Sequence, residues 1–254
     1  MPHKVTNYKT AIAQRQRLFS RKTALRIIYE SFYQKIYENC NKQEKTLEIG
    51  SAFFTLFGKS KNLFKDIVLS DVSFNDQSTI TCDAHFLPFK NKSFANIIAI
   101  DTFHHLQNPL IFLKEASRIL KKNGKVVLIE PLVTPISQII YKFIHHEDCY
   151  MDKDPFQTTD FDQHRDPLVD GNNGLPTACF LREKDSFHNK LPEFKITKLQ
   201  RLSLFVYPLT GGYQNWCLMP ASLTKGLLKI ENLLMPFLGR LMALRMLLVI
   251  EKQE

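Results

Sequence analysis

Apolar positions along this chain follow two rhythms, and the switches between them predict the architecture. Across residues 8–39, Leu18, Leu25, Ile28, Phe32, Ile36 and Tyr37 recur at helical spacing, with Lys and Arg between them. Residues 42–45 then read as a polar linker. After it, short apolar runs alternate with helical segments, which predicts a parallel sheet with crossover helices. The expected strands are residues 46–49, 67–70, 79–82, 94–100 and 125–129, with helices at 56–64 and 109–120. Pro109 suits a first helical turn, and Asn123-Gly124 stops that helix.

Past Glu130-Pro131 the regularity ends. A helix is expected at 134–146, followed by a polar stretch, 147–176, rich in Asp, Asn, Gln and Pro. So long an irregular segment reads as a lid or binding loop. A strand at 196–206, a helical hairpin over 223–241 broken near Pro236, and an apolar strand at 246–250 complete the pattern. That last strand, with Leu247 and Val249 buried, is expected at the sheet edge. The chain reads as one domain: a helical segment 1–45, a core 46–131, an insert 132–223, and a C-terminal helix and edge strand 224–254.

Length and composition fit this picture, since 254 residues at 44% hydrophobic can bury one sizeable core. The net charge of +9 raises the expectation of an anionic partner. The lysines are dispersed, however, and no basic run or zinc-finger spacing occurs, so nucleic acid is not expected. Five cysteines, none in a CxxC pair, point to a reducing, cytoplasmic setting without disulfides. The N-terminus carries no signal-peptide core. The apolar stretch 226–250 is interrupted by Lys229, Glu231, Arg240 and Arg245, too much charge for an ordinary transmembrane helix. Its amphipathic part, 223–241, is compatible with peripheral membrane contact. Oligomeric state is not legible.

In an open α/β sheet, ligands sit beyond the C-terminal strand ends near the first strand. Here Glu48-Ile-Gly50 ends the first strand, Asp71 follows the second, and Asp101 ends the fourth. A carboxylate at Asp71 has the geometry to accept ribose hydroxyls. Asp71 and Asp83 also read as turn residues, and Asp101 as a helix cap.

Four blocks carry a resemblance: Thr46-Leu-Glu-Ile-Gly-Ser, Cys82-Asp-Ala-His-Phe-Leu-Pro-Phe, Phe94-Ala-Asn-Ile-Ile-Ala-Ile-Asp-Thr-Phe-His-His-Leu, and the segment from Phe112 to Pro131. In this order and spacing, residues 46–131 resemble the class I S-adenosylmethionine-dependent methyltransferases. The resemblance implies a Rossmann-like α/β fold, a seven-stranded mostly parallel sheet with helices on both faces, and S-adenosyl-L-methionine as cofactor. By position it puts Glu48, Gly50, Ser51 and Ala52 beside the methionine moiety and Asp71 on the ribose. It puts Asp83 and the Ala84 backbone on the adenine, and Asp101 next to the reacting methyl. The family's usual glycines are missing at Ala52 and Phe54; a positive φ at Ala52 would cost about 1–2 kcal/mol.

The implied activity is methyl transfer to a small-molecule acceptor, a metabolite, lipid or saccharide. A non-catalytic binding or scaffold member of the fold is the alternative. A nicotinamide oxidoreductase is disfavoured because G-x-G-x-x-G is absent. Candidate bases are His104, His105, His145, His146 and Tyr213, with His104-His105 also reading as cavity-lining or loop-supporting residues. No adjacent carboxylates or cysteines offer metal-ligand spacing, so no metal is expected.

Overall fold

The apolar runs become strands because each buries both of its faces. In the computed structural model, which describes residues 8–51, 63–73, 78–144 and 147–253, the strands are β1 (Thr46–Ile49), β2 (Ile67–Asp71), β3 (Ile80–Thr81), β4 (Phe94–Ile100), β5 (Leu120–Pro131), β6 (Phe194–Leu202) and β7 (Arg245–Lys252). They form one sheet in the order β3-β2-β1-β4-β5-β7-β6. β7 pairs antiparallel with both β5 and β6, and every other pairing is parallel. Alternate side chains divide between two cores. Ile97, Val126, Leu128, Leu248 and Ile250 enter one, while Ile98, Val127, Ile129, Leu247 and Val249 enter the other.

The helices are α1 (Tyr8–Arg21), α2 (Thr23–Asn39), α3 (Pro109–Ile119), α4 (Pro135–Phe143), α5 (Leu175–Thr177), α6 (Lys184–Lys190), α7 (Val206–Leu209) and α8 (Ala221–Met242). The core of α2, including Leu25, Ile28, Phe32 and Ile36, covers one sheet face. Phe112, Leu113 and Ala116 of α3 cover the other. No helix among the described residues is long and apolar enough to cross a membrane.

Several expectations need correction. The strand at the C-terminus is not an edge: β7 lies between β5 and β6, and its run from Arg245 to Ile250 is buried throughout. β6 takes the edge, with Lys195 and Lys198 exposed along it, the charged character that discourages further pairing. The expected helical hairpin is a single helix, α8, with Pro236 inside. Pro236 and Asn232, whose carbonyl loses its partner, both face solvent, so water can satisfy it. The N-terminal helical segment is two helices, parted at Lys22, whose backbone leaves the helical region (φ −100°, ψ 85°). The fifth strand starts early, at Leu120, and residues 121–124 bulge out between the pairs Phe94↔Leu120 and Asn96↔Lys125. β6 is displaced from 196–206 to Phe194–Leu202, and α7 follows. The helix expected at 56–64 lies almost wholly outside the described residues.

Residues 147–176 are irregular, as expected, yet anchored. Asn108 exchanges two hydrogen bonds with the Thr159 backbone (2.9 and 3.1 Å), and Gln107 does the same with Asp162 (2.8 and 3.2 Å). Phe156, within the segment, is fully buried in the core.

Candidate functional site

The sheet order reverses between β1 and β4, and the strand ends there open into one cavity of about 950 Å³. Gly50, Asp71, Asp83, Ala84 and Asp101 all line it. Glu48 and Ser51 stand behind the lining residues, and Ala52 lies outside the described residues. Gly50 has φ +72°, and a Cβ there would run into the Thr102 side chain. Glycine is therefore dictated both by the turn and by the neighbouring strand end.

The carboxylates differ sharply in setting. Glu48 is 2% exposed and accepts a hydrogen bond from the Tyr33 hydroxyl at 2.5 Å. Burial pushes its carboxyl up to about 8, against the Tyr33 bond and reinforced by nearby Asp71. Its second oxygen and the Ser51 hydroxyl are buried without a hydrogen-bond partner among the described residues. Asp71 is 2% exposed and accepts from the Ser73 amide at 3.2 Å. Asp83 is half-exposed and accepts from the His85 amide (2.9 Å) and ring (2.5 Å); burial opposes its ionisation, but the His85 bonds win and lower its pKa. Asp101, in the left-handed region at φ +53°, is held by Arg245 from β7 and by the Tyr29 hydroxyl at 2.7 Å. It is thus a paired structural carboxylate on the cavity wall. Arg245 in turn lies over the Tyr207 ring at 4.2 Å.

Beyond Asp101 the chain makes a 3₁₀ turn, Phe103–His105, organised by Glu130 at the end of β5. The Glu130 carboxylate accepts from the amides of Thr102 (2.8 Å) and Phe103 (2.7 Å) and from His104 Nδ1 (2.7 Å). On its other side His104 Nε2 lies 3.3 Å from Glu147. Burial pulls the His104 imidazole down, but the two carboxylates outweigh it and raise its pKa to about 9. His105, 3.8 Å from Glu147, is pressed well below the ordinary histidine value by burial and by the charge of His104. Sequence reasoning gave no role to Glu130 or Glu147, because neither is near its partners along the chain.

Among the expected bases, His145 and His146 lie outside the described residues. Tyr213 lines the cavity, but burial raises its pKa, so it is a neutral phenol and a hydrogen-bond donor rather than a base. Its loop is tied down by a residue that sequence reading missed. The Lys22 ammonium shares its three N–H donors among the carbonyls of Thr210 (2.9 Å), Gly212 (2.8 Å), Gln214 (2.5 Å) and Trp216 (2.7 Å). Much of the remaining lining is apolar, with Ile12 of α1, Ile136 and Ile140 of α4, Leu168 and Val169 of the anchored loop, and Leu204, while Arg15, Gln107 and Arg165 add polar groups.

Residues 61–128 match the model of a methyltransferase domain. No curated protein matches the chain. Among solved structures, an S-adenosylmethionine-dependent methyltransferase from Archaeoglobus fulgidus is similar over 97% of this chain and 100% of its own, at 12% identity and a TM-score of 0.53. A chain from the complex of the Haloferax volcanii Trm112 methyltransferase activator with its methyltransferase aligns over 98% of this chain and 99% of its own, at 11% identity and a TM-score of 0.53. A protein from Bacillus halodurans assigned as a methyltransferase aligns over 88% and 100%, at 16% identity and a TM-score of 0.51. At these identities the structural likeness speaks to the fold, and the domain match speaks to the family. Residues 61–128 thus carry a methyltransferase-domain match, on a fold shared with S-adenosylmethionine-dependent methyltransferases of known structure.

Proposed function

We propose that this chain transfers the methyl group of S-adenosylmethionine to an amphiphilic small molecule, a lipid or lipid-like metabolite taken from a membrane surface. One observation carries this reading: a single cavity joins the polar strand ends to a largely apolar chamber. Asp71 would accept the ribose hydroxyls, and Asp83 would accept from the adenine amino group while the Ala84 backbone supports the ring. The polar atoms of Glu48 and Ser51 that lack a partner among the described residues, on either side of Gly50, favour a polar ligand group at this loop. The cofactor supplies an activated sulfonium methyl, and its transfer is an in-line displacement. The protein's part is positioning and exclusion of water. Ile136, Ile140 and Leu204 would hold the apolar portion of the acceptor, and the Tyr213 hydroxyl would orient its polar end.

The outer surface supports the source of the acceptor. One face of α4 lines the cavity, while Ile139 and Phe143 on the other are exposed. On α8, against which α4 packs, Leu223, Ile230, Leu233, Phe237 and Leu241 form an exposed apolar stripe at helical spacing. Phe237 is 80% exposed. Lys142, Lys225, Lys229 and Arg240 accompany these residues, a combination that suits an anionic lipid surface.

Two measurements test this. Titration calorimetry with S-adenosylhomocysteine should give micromolar binding, weakened about tenfold or more by Asp71→Ala, the size of a lost charged-group hydrogen bond. A folded protein that binds nothing at millimolar ligand sinks the transfer reading. Binding without incorporation of labelled methyl into any lipid or metabolite extract would favour the non-catalytic alternative. Vesicles containing anionic lipid should sediment the protein at low salt, and Leu233→Ser with Phe237→Ser should abolish this. Equal sedimentation of wild type and double variant would remove the membrane from the account.

A further inference from the structure

We propose that His104, His105 and Glu147 form a divalent-metal site on the cavity wall, with Glu130 as the group that orients His104. The ligand atoms offered by the three side chains lie within 4.8 Å of one another, and all three residues line the cavity. Two imidazoles and one carboxylate are the donor set of catalytic zinc sites and of facial-triad iron sites, which keep coordination positions open. Magnesium and calcium, which prefer oxygen donors throughout, fit it poorly.

The spacing suits such an ion. Tetrahedral coordination with bonds of about 2.0–2.1 Å places neighbouring ligand atoms roughly 3.3 Å apart. His104 Nε2 is 3.3 Å from one Glu147 oxygen, and His105 Nε2 is 3.8 Å from the other. These two separations need little contraction, and all three ligand atoms lie within 4.8 Å of one another. The outer shell is also in place: Glu130, itself held by the amides of Thr102 and Phe103, fixes the His104 tautomer through Nδ1 at 2.7 Å. A carboxylate behind a metal-bound histidine is the usual support for its orientation and basicity.

Charge points the same way. Glu130 and Glu147 are 1% and 8% exposed and converge on one imidazole. Two buried carboxylates call for compensating positive charge, and a divalent ion supplies it at the atoms where it is needed. Gly171 backs both rings, and a Cβ there would approach each to 2.9 Å, so a residue without a side chain is what lets both rings sit here. An oxygen of the acceptor could take an open position on the ion; this last role alone rests on the proposed methyl transfer.

The test uses the full chain, stripped with chelator and titrated with zinc in the absence of cofactor and acceptor. One equivalent should bind, and His105→Ala and Glu147→Gln should each weaken it at least tenfold. Absence of stoichiometric zinc, or equal affinity in both variants and wild type, overturns the site. Should either variant fail to fold, cobalt(II) bound to the wild-type protein decides: paramagnetically shifted protons from two imidazole rings support the site, and their absence from a cobalt-loaded sample refutes it. S-adenosylhomocysteine binding is measured separately, so zinc binding without it would sink the transfer reading and leave the metal site standing, and the converse would do the reverse.

Discussion

Four carboxylates stand at the strand ends, and burial and partners give them different duties. Asp101 is neutralised by Arg245, Asp83 is held ionised by His85, and Glu48 is sealed against Tyr33 with its pKa raised to about 8. The last has a consequence for stability. The ordinary value for this carboxyl is 4.5, so the folded protein holds the proton more tightly than the unfolded chain. Stability from this group is full below the unfolded value and is lost as pH rises through the folded one. Burial sets the shift; of the titratable neighbours, Tyr33 of α2 opposes it and Asp71 of β2 adds to it. Wild-type melting temperature should therefore fall between about pH 5 and pH 9, and Glu48→Gln, which cannot ionise, should flatten that fall. An identical slope in the two proteins would mean that Glu48 is ionised in the fold.

Secondary elements here are positioned by buried charge as much as by apolar packing. The break between α1 and α2 exists because Lys22 turns inward to meet four carbonyls of the 210–216 loop. That contact places Gly211, Gly212, Tyr213 and Trp216 on the cavity wall. Lys22→Met keeps most of the stem but leaves those carbonyls without a donor. Hydrogen bonds to a charged group contribute about 1.5–3 kcal/mol each, with incomplete additivity, so a loss of roughly 3 kcal/mol is expected. Denaturant melts would measure it, and hydrogen exchange should speed up across residues 210–216. A variant as stable as wild type, with that loop still protected, would show the ammonium to be dispensable.

Considered as a single body, the molecule depends on its last strand. β7 pairs with β5 on one side and β6 on the other, and it sends Met246, Leu248 and Ile250 into one core and Leu247 and Val249 into the other. Each such side chain contributes about 1.5–3 kcal/mol on burial, and together they rival the roughly 5–15 kcal/mol stability of a typical domain. Deleting residues 244–254 should abolish the cooperative melt. A truncated chain that still melts within a few degrees of the full one would contradict the assignment of β7 to the centre of the structure.

The rhythm of apolar residues was enough to reveal the parallel core, because a strand buried on both faces must be continuously apolar and a packed helix must repeat every three to four positions. It also located β7, and the strand ends it marked carry Gly50, Asp71, Asp83, Ala84 and Asp101, all of which line the cavity. It could not place β7 between β5 and β6, since burial of a strand reads the same whichever neighbours it has. Nor could it find the partners of His104, because Glu130 and Glu147 approach it only after β5 and the anchored loop have folded. The inward turn of Lys22 was equally hidden, for a lysine on a polar helix face ordinarily remains in water. Local periodicity is written in neighbouring residues; the pairing of buried charges is settled by contacts between residues far apart in the chain.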